Sequence, residues 1–178
     1  KVKKMILDNK RQYAETITSE MGKPISESMA EIEKCASLCE YYEDNSEEFL
    51  RDKHLKSNAV TSSVSYESLG VVFGIMPWNF PFWQVFRFAV PAIIAGNSTL
   101  IKHAPNVQGS AITIEKIFHA AGLPKDVFRI LMIDIDIIPK IISDKMIKAV
   151  SLTGSEFAGS KVAECSGKNL KKTVLELG

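Results

Sequence analysis

The chain has 178 residues, 46% of them hydrophobic, enough to bury one substantial core or slightly more. A net charge of +1, with basic residues scattered along the chain, gives no electrostatic footprint for nucleic acid or an anionic membrane. The longest apolar run, Phe80 to Ala95, is broken by Arg87 and Pro91 and falls short of a bilayer span, and Lys1 opens directly into helical pattern without a signal-peptide layout.

The first predicted element is a helix from about Val2 to Met21, closed by Gly22 as a left-handed C′ residue, with Pro24 suited to the first turn of the next helix. In that second helix Ile25, Met29, Ile32, Ala36, Cys39, Tyr42, Ser46 and Phe49 share one side, with charges opposite. Cys35 and Cys39 lie four apart with no His or third Cys near enough to complete a metal site, and read as core and flank thiols. With Cys165 they make an odd number without framework spacing, which fits a reducing, cytoplasmic setting. A polar link, Arg51 to Asn58, leads to Val60–Glu67, where Val60, Val64 and Tyr66 alternate with polar residues as in a strand with one apolar face. No second strand of that kind follows, so its partner is expected outside this chain.

From Gly70 the rhythm changes. Short apolar runs at Val71–Ile75, Thr99–Ile101, Val127–Leu131, Ala149–Leu152 and Thr173–Leu175 alternate with helical segments at Phe82–Ala95, Val107–Ala121, Ile137–Ser143 and Glu156–Ser166. Strands buried on both faces and separated by helices predict an α/β fold, a Rossmann-like parallel sheet with flanking helices. Ligands of such sheets sit at the carboxyl ends of the strands. The polar residues to inspect are therefore Pro77-Trp78-Asn79, Lys102-His103, Thr153-Gly154-Ser155 and Glu176.

Asn79 stands between two prolines and two large aromatics, so its backbone is expected to be stiff and its amide walled off from water. Between Phe80 and Asn97 no Asp or Glu balances Arg87. An amide donor beside an unpaired cation suits a site that polarises a carbonyl and holds a carboxylate; a donor aimed at a developing oxyanion is worth roughly 2.7–4 kcal/mol. The same residues also fit an Asn cap on the following helix and an arginine snorkelling to the surface. Gly154 permits a tight turn, Ser155 can cap a helix or meet an anion, and Gly159 lets that helix approach the sheet. Lys102 reads as a nucleotide contact or a solvated lysine, and His103 and His119 as structural. Glu176, flanked by Leu175 and Leu177, reads as a general base with its ionised form disfavoured or as an exposed strand-end carboxylate.

Together, Pro77-Trp-Asn-Phe-Pro81, Ala95-Gly-Asn97 leading to Lys102, Gly122-Leu-Pro124, Thr153-Gly-Ser155 and Leu175-Glu-Leu-Gly178 resemble the aldehyde dehydrogenase superfamily in order and spacing. The chain looks most like succinate-semialdehyde dehydrogenases of the type carrying Lys102-His-Ala-Pro-Asn106. The resemblance implies that Asn79 donates to the oxyanion and Glu176 activates water. It places the backbone of Ile75, Met76, Pro77 and Trp78 beside the nicotinamide ribose and the reacting centre. Lys102 would hold the adenosine ribose or its 2′-phosphate, Gly154 and Ser155 the pyrophosphate, and Arg87 the distal carboxylate of the substrate. NAD-preferring relatives commonly carry a Glu three residues after the lysine; here Pro105 stands there, so NAD or NADP stays open.

In the family reaction a cysteine thiolate attacks the aldehyde, and that cysteine lies in a later domain; none of Cys35, Cys39 and Cys165 matches it. The start lacks Met, the chain stops where a strand would just have ended, and the resemblance covers less than half of the family sequence. It implies a helical segment over residues 1–58 packed on the cofactor domain, an oligomerisation-arm strand over 59–69, and an incomplete cofactor-binding region over 70–178. The parent would be a homo-oligomeric enzyme for a small-molecule aldehyde, without nucleic acid, membrane or metal partners, and this chain alone would be inactive. The alternative is a truncated, non-catalytic paralogue serving as a nucleotide-binding or assembly partner.

Overall fold

The computed structural model describes residues 1–178. Three helices come first: α1 (Val2–Asp8), α2 (Lys10–Met21) and α3 (Ile25–Leu50). The single helix expected over Val2–Met21 is divided at Asn9, whose backbone turns to φ −115°, ψ 18° while its side-chain amide donates to the Met5 carbonyl at 2.9 Å. Asn offers the backbone such local alternatives, which is why it interrupts helices. Gly22 closes α2 at φ 78°, as the sequence predicts. On α3 the buried stripe runs through Ser28, Glu31, Ile32, Cys35 and Ala36. Phe49 is exposed, and Glu31 lies inside rather than among the outward charges.

The segment after α3 forms less strand than the sequence predicts. Val60–Glu67 contributes only Ser63–Val64 (β2), which pairs antiparallel with Lys53–His54 (β1) inside the same chain. Val60, Val64 and Tyr66 are all exposed, so no apolar face is covered. Lys53-His54, the pairing partner of β2 within this chain, carries no apolar alternation by which the sequence could have revealed it.

The remaining elements are β3 (Val71–Met76), α4 (Trp83–Ile94), β4 (Ser98–His103), α5 (Gln108–Ala120), β5 (Phe128–Ile130), α6 (Ile138–Ser143), β6 (Ile147–Gly154), α7 (Glu156–Lys168) and β7 (Lys172–Leu177). All five strands are parallel, in the order β5-β4-β3-β6-β7. The chain steps outward from β3 through β4 to β5, then crosses back to lay β6 on the other side of β3. That reversal places a switch point at the carboxyl ends of β3 and β6, the Rossmann arrangement. The strand β7 departs from the expected two-sided burial: only Leu175 is partly covered, while Val174 and Leu177 are exposed. No helix is long and apolar enough to cross a membrane.

The larger core lies between the sheet and helices α1 to α5. Its spine is a line of rings, Tyr13, Phe82, Phe86, Phe118 and Phe128, with successive centroids 6.0, 6.4, 5.3 and 4.6 Å apart. A smaller core of Phe73, Ile138, Ile142, Ile147, Val150, Leu152 and Val162 joins the sheet to α6 and α7. Each fully buried phenylalanine contributes about 1.5–3 kcal/mol, against about 0–1 kcal/mol for exposed ion pairs such as Arg11–Glu15. The rings, not the surface charges, hold the layers together. Two glycines mark close approaches: a Cβ on Gly74 would stand 2.7 Å from the Phe88 ring, and one on Gly159 would stand 2.5 Å from the Leu177 side chain.

Asn97 joins the end of α4 to the start of β3. Its Oδ1 accepts from the Leu69 and Gly70 amides at 2.8 and 3.2 Å, and its Nδ2 donates to the Ala92 carbonyl at 3.0 Å. The start of α5 is capped from far away in sequence. The Glu20 carboxylate on α2 accepts from the Gly109 amide, the Ser110 amide and the Ser110 hydroxyl, the last two at 2.8 and 2.6 Å. Glu20→Ala is expected to lower the unfolding free energy by about 1–3 kcal/mol, the cost of a lost cap and an unmatched acceptor set, read from the urea midpoint. A change below about 0.5 kcal/mol would show that water replaces the cap without loss.

Candidate active-site crevice

The loop between β3 and α4 is held at three points. His103, fully buried at the end of β4, donates from Nε2 to the Pro81 carbonyl at 2.8 Å while its Nδ1 accepts from the Ala104 amide at 2.8 Å. Those partners fix the neutral tautomer with the proton on Nε2. Glu31 accepts from the Phe82 and Trp83 amides at 2.8 and 2.9 Å, capping α4 through Oε1. Its Oε2 accepts from Lys23 at 2.5 Å, and the Lys23 ammonium also stands 3.7 Å from the Phe80 ring centroid. The cap on α4 therefore comes from Glu31, not from Asn79.

The structure corrects two expectations about the predicted donors. Asn79 is exposed, as is Trp78, so the prolines and aromatics do not wall the amide off from water. Arg87 is not unpaired: its guanidinium donates to the Glu176 carboxylate and, at 3.4 Å, to the Thr153 hydroxyl. The counter-ion was invisible to a local window because it lies 89 residues away on β7. Glu176 is correspondingly exposed and paired, not enclosed by its leucine neighbours; the two side chains are 34% and 51% exposed.

Arg87 and Glu176 line one hollow of about 410 Å³, together with Met76, Gln84, Phe88 and Thr153. The Gln84 side-chain oxygen is buried there without a hydrogen-bond partner. Register explains the convergence: Ile75 pairs with Leu152, and Thr153 pairs with Glu176, so the carboxyl ends of β3, β6 and β7 finish at one level. Asn79, Pro77 and Trp78 follow immediately from that edge but do not line the hollow. Ile75 is part of β3 and pairs with Lys102 on its other side.

Lys102 is 7% exposed and forms no ion pair. Burial lowers its pKa from the ordinary 10.5, with the Asp134 carboxylate opposing. Ser155 caps α7, its Oγ accepting from the Ala158 amide at 3.3 Å. Gly154 is extended and hydrogen-bonded in β6, with space for a Cβ, and Ser155 after it is extended too, at φ −73°, ψ 156°, so the expected tight turn at Gly154 is not formed and the chain enters α7 directly. A cation without an ion-pair partner at the end of β4 and the capped start of α7 fit the anionic groups of a dinucleotide. The three thiols do not fit a nucleophile. Burial pushes Cys35 well up and Cys39 to about 11, and Cys165 faces the Pro139 carbonyl on the α6 side.

Sheet order and convergent strand ends together define a Rossmann-like α/β protein whose Arg87–Glu176 pair lies in a hollow beside its switch point. The chain belongs to the aldehyde dehydrogenase family, whose sequence model matches residues 1–178. It is 47% identical over 174 residues to a Synechocystis protein named "Probable succinate-semialdehyde dehydrogenase" (NADP+), covering 97% of this chain and 38% of that protein. An Escherichia coli succinate semialdehyde dehydrogenase (NAD(P)+) is 45% identical over 167 residues, covering 94% of this chain and 36% of that protein. Among solved structures, Streptococcus pyogenes succinic semialdehyde dehydrogenase in complex with NADP+ superimposes with a TM-score of 0.97 at 38% identity, covering 99% of this chain and 39% of that one. The chain thus spans under two fifths of the length of these relatives.

Burial lowers the pKa of His103 from its ordinary 6.5, the Lys102 charge acts in the same direction, and the Pro81 carbonyl and Glu20 carboxylate oppose it. An unfolded chain takes up a proton near pH 6.5, before folded His103 does, so stability is full above that value and falls as pH drops through it toward the lower folded pKa. His103→Gln should flatten this slope in urea titrations between pH 7 and about 5. Parallel curves for the two proteins would remove His103 as its source.

Proposed function

We propose that this chain is the cofactor-binding part of an NAD(P)+-dependent aldehyde dehydrogenase that oxidises succinate semialdehyde to its dicarboxylic acid. The observation that carries the reading is the Arg87–Glu176 pair, brought from α4 and β7 into one hollow that runs along the sheet face from Val72 and Ala149 to the carboxyl ends of β3, β6 and β7. The names of the Synechocystis and Escherichia coli relatives supply the substrate class.

Arg87 is the residue assigned to the distal carboxylate of the substrate. Its present partner is half-exposed, and such a pair is worth only about 0–1 kcal/mol. A substrate carboxylate can therefore replace Glu176 on the guanidinium at little cost. Glu176, once released, is the assigned acceptor of a proton from the attacking water. The assigned role of Asn79 is to donate from its side-chain amide to the oxyanion that forms on the aldehyde oxygen. Its exposure in this chain makes that role depend on a surrounding wall contributed from elsewhere. Lys102 and the start of α7, with Ser155 and Gly154, would hold the ribose and phosphates, and the backbone of Ile75 to Trp78 the nicotinamide side. When bound, NAD(P)+ supplies the hydride acceptor. Pro105 presents no carboxylate to repel a 2′-phosphate, which favours acceptance of NADP+. The thiol nucleophile of the family reaction is assigned to a part of the enzyme outside these 178 residues.

Two measurements test the reading. The full-length protein that carries this segment should reduce NADP+ with succinate semialdehyde, while the 178-residue chain alone should not, because the covalent nucleophile is missing. Turnover by the isolated chain at ordinary enzyme rates would overturn the division of labour. In the full-length protein, Arg87→Ala should raise KM for succinate semialdehyde by about 10- to 100-fold, the equivalent of a charged hydrogen bond worth roughly 1.5–3 kcal/mol. KM for an uncharged aldehyde such as propanal should stay within about twofold of the wild type. Equal losses for both aldehydes would show that Arg87 is structural.

A further inference from the structure

Asn79 and Arg87 sit on a loop and a helix that a pair of charges from another part of the chain contacts at their junction. Lys23, in the turn between α2 and α3, and Glu31, in the second turn of α3, have side chains 7% and 0% exposed. One carboxylate oxygen of Glu31 accepts from the Phe82 and Trp83 amides, at 2.8 and 2.9 Å, and the other accepts from Lys23. The Lys23 ammonium in turn lies over the Phe80 ring, 3.7 Å from its centroid. A single buried pair therefore grips three residues, Phe80, Phe82 and Trp83, directly after Asn79. The residue between them, Pro81, is held through its carbonyl by His103.

A helix cap needed only for stability does not call for this arrangement. A neutral Ser, Thr or Asn at the start of α4 would satisfy the same amides, without the desolvation penalty of two buried charges. The pair does something a local cap cannot: it fixes a side chain before Pro81 and the backbone after it relative to α3. Pro77 and Pro81 lock their own φ angles and restrict Met76 and Phe80 before them. Few soft dihedrals remain between the anchor and Asn79, so a shift at Phe80 or Phe82 passes to the Asn79 amide. Arg87 rides on the helix whose first turn the same carboxylate holds.

We infer that Lys23 and Glu31 are positioning residues, a remote clamp that sets where Asn79 presents its amide and where α4 holds Arg87. The clamp stands on geometry within this chain; only its kinetic consequence rests on the proposed aldehyde oxidation. Two arms separate these. In the first, amide hydrogen exchange is followed in the 178-residue chain as wild type, Glu31→Gln and Lys23→Met. Glu31→Gln keeps the shape and an acceptor but loses the charge and the ion pair. The Phe82 and Trp83 amides should exchange about five- to tenfold faster in Glu31→Gln, with a smaller increase in Lys23→Met, while the Ile114 and Ile117 amides of α5 keep wild-type rates. Unchanged rates at Phe82 and Trp83, or an equal rise in α5, would overturn the clamp.

In the second arm, the full-length protein carrying Glu31→Gln should lose about 10- to 100-fold in kcat for succinate semialdehyde, with KM for the dinucleotide unchanged. Because the clamp acts through Asn79, adding Glu31→Gln to Asn79→Ala should lower kcat no further. Losses that multiply, or a dinucleotide KM that rises with the fall in kcat, would show a merely structural role. Should the wild-type full-length protein oxidise no aldehyde, the proposed reaction falls and the exchange arm alone decides the clamp.

Discussion

The first N–H groups of an α-helix have no partner within the helix, and a helix that begins inside a protein must find acceptors elsewhere. The helices that follow β3 and β4 begin that way, and both are answered by a carboxylate from the amino-terminal helices. Glu20 reaches the start of α5, and Glu31 reaches the start of α4. The opening helices are thus more than an apolar cover. They carry the acceptors that let α4 and α5 start where the sheet requires, and so they set the loops above the sheet. Placing a negative charge at each helix start also suits the helix dipole.

Around those polar fixings, the apolar contacts supply most of the free energy. The ring line from Tyr13 to Phe128 runs from the opening helices through α4 and α5 to the outer strand. Phe82 belongs to both systems: its amide is capped by Glu31 and its ring is buried between Tyr13 and Phe86. The sequence stretch that begins as an exposed loop at Trp78 therefore becomes fully anchored within four residues. Such a change from free to fixed over so short a span keeps the exposed residues Trp78 and Asn79 close to an anchored frame.

Much of the fold was legible in the sequence because its signals are local. Gly22, Gly96-Asn97 and Gly122-Leu-Pro124 punctuate elements where the chain turns, and the apolar runs from Val71 onward coincide with strands within two or three residues. The smaller discrepancies have local causes too, as in the division at Asn9. What stayed hidden is pairing at a distance. Glu31 reads as an outward charge by periodicity, yet it is buried because it serves amides 51 residues on. Arg87 seemed unbalanced because its carboxylate lies on the last strand. The loop around Asn79 looked enclosed because prolines and aromatics surround it in sequence, but their rings do not close over it here. For the strand ends, sequence order revealed which residues follow each strand; it could not reveal that Thr153 and Glu176 share a hollow which Asn79 and Lys102 do not line.

The close seating of α4 on β3 has a consequence for how the crevice can vary. With a Cβ on Gly74 reaching to 2.7 Å from Phe88, the gap between helix and strand already stands at its minimum. The helix cannot move inward, and the ring line behind it resists outward travel. The breadth of the hollow is therefore a fixed dimension of the scaffold. Selectivity for longer or bulkier compounds would have to be written in the side chains of this one helix that line the hollow, Gln84 and Phe88 first among them, with the frame left as it is.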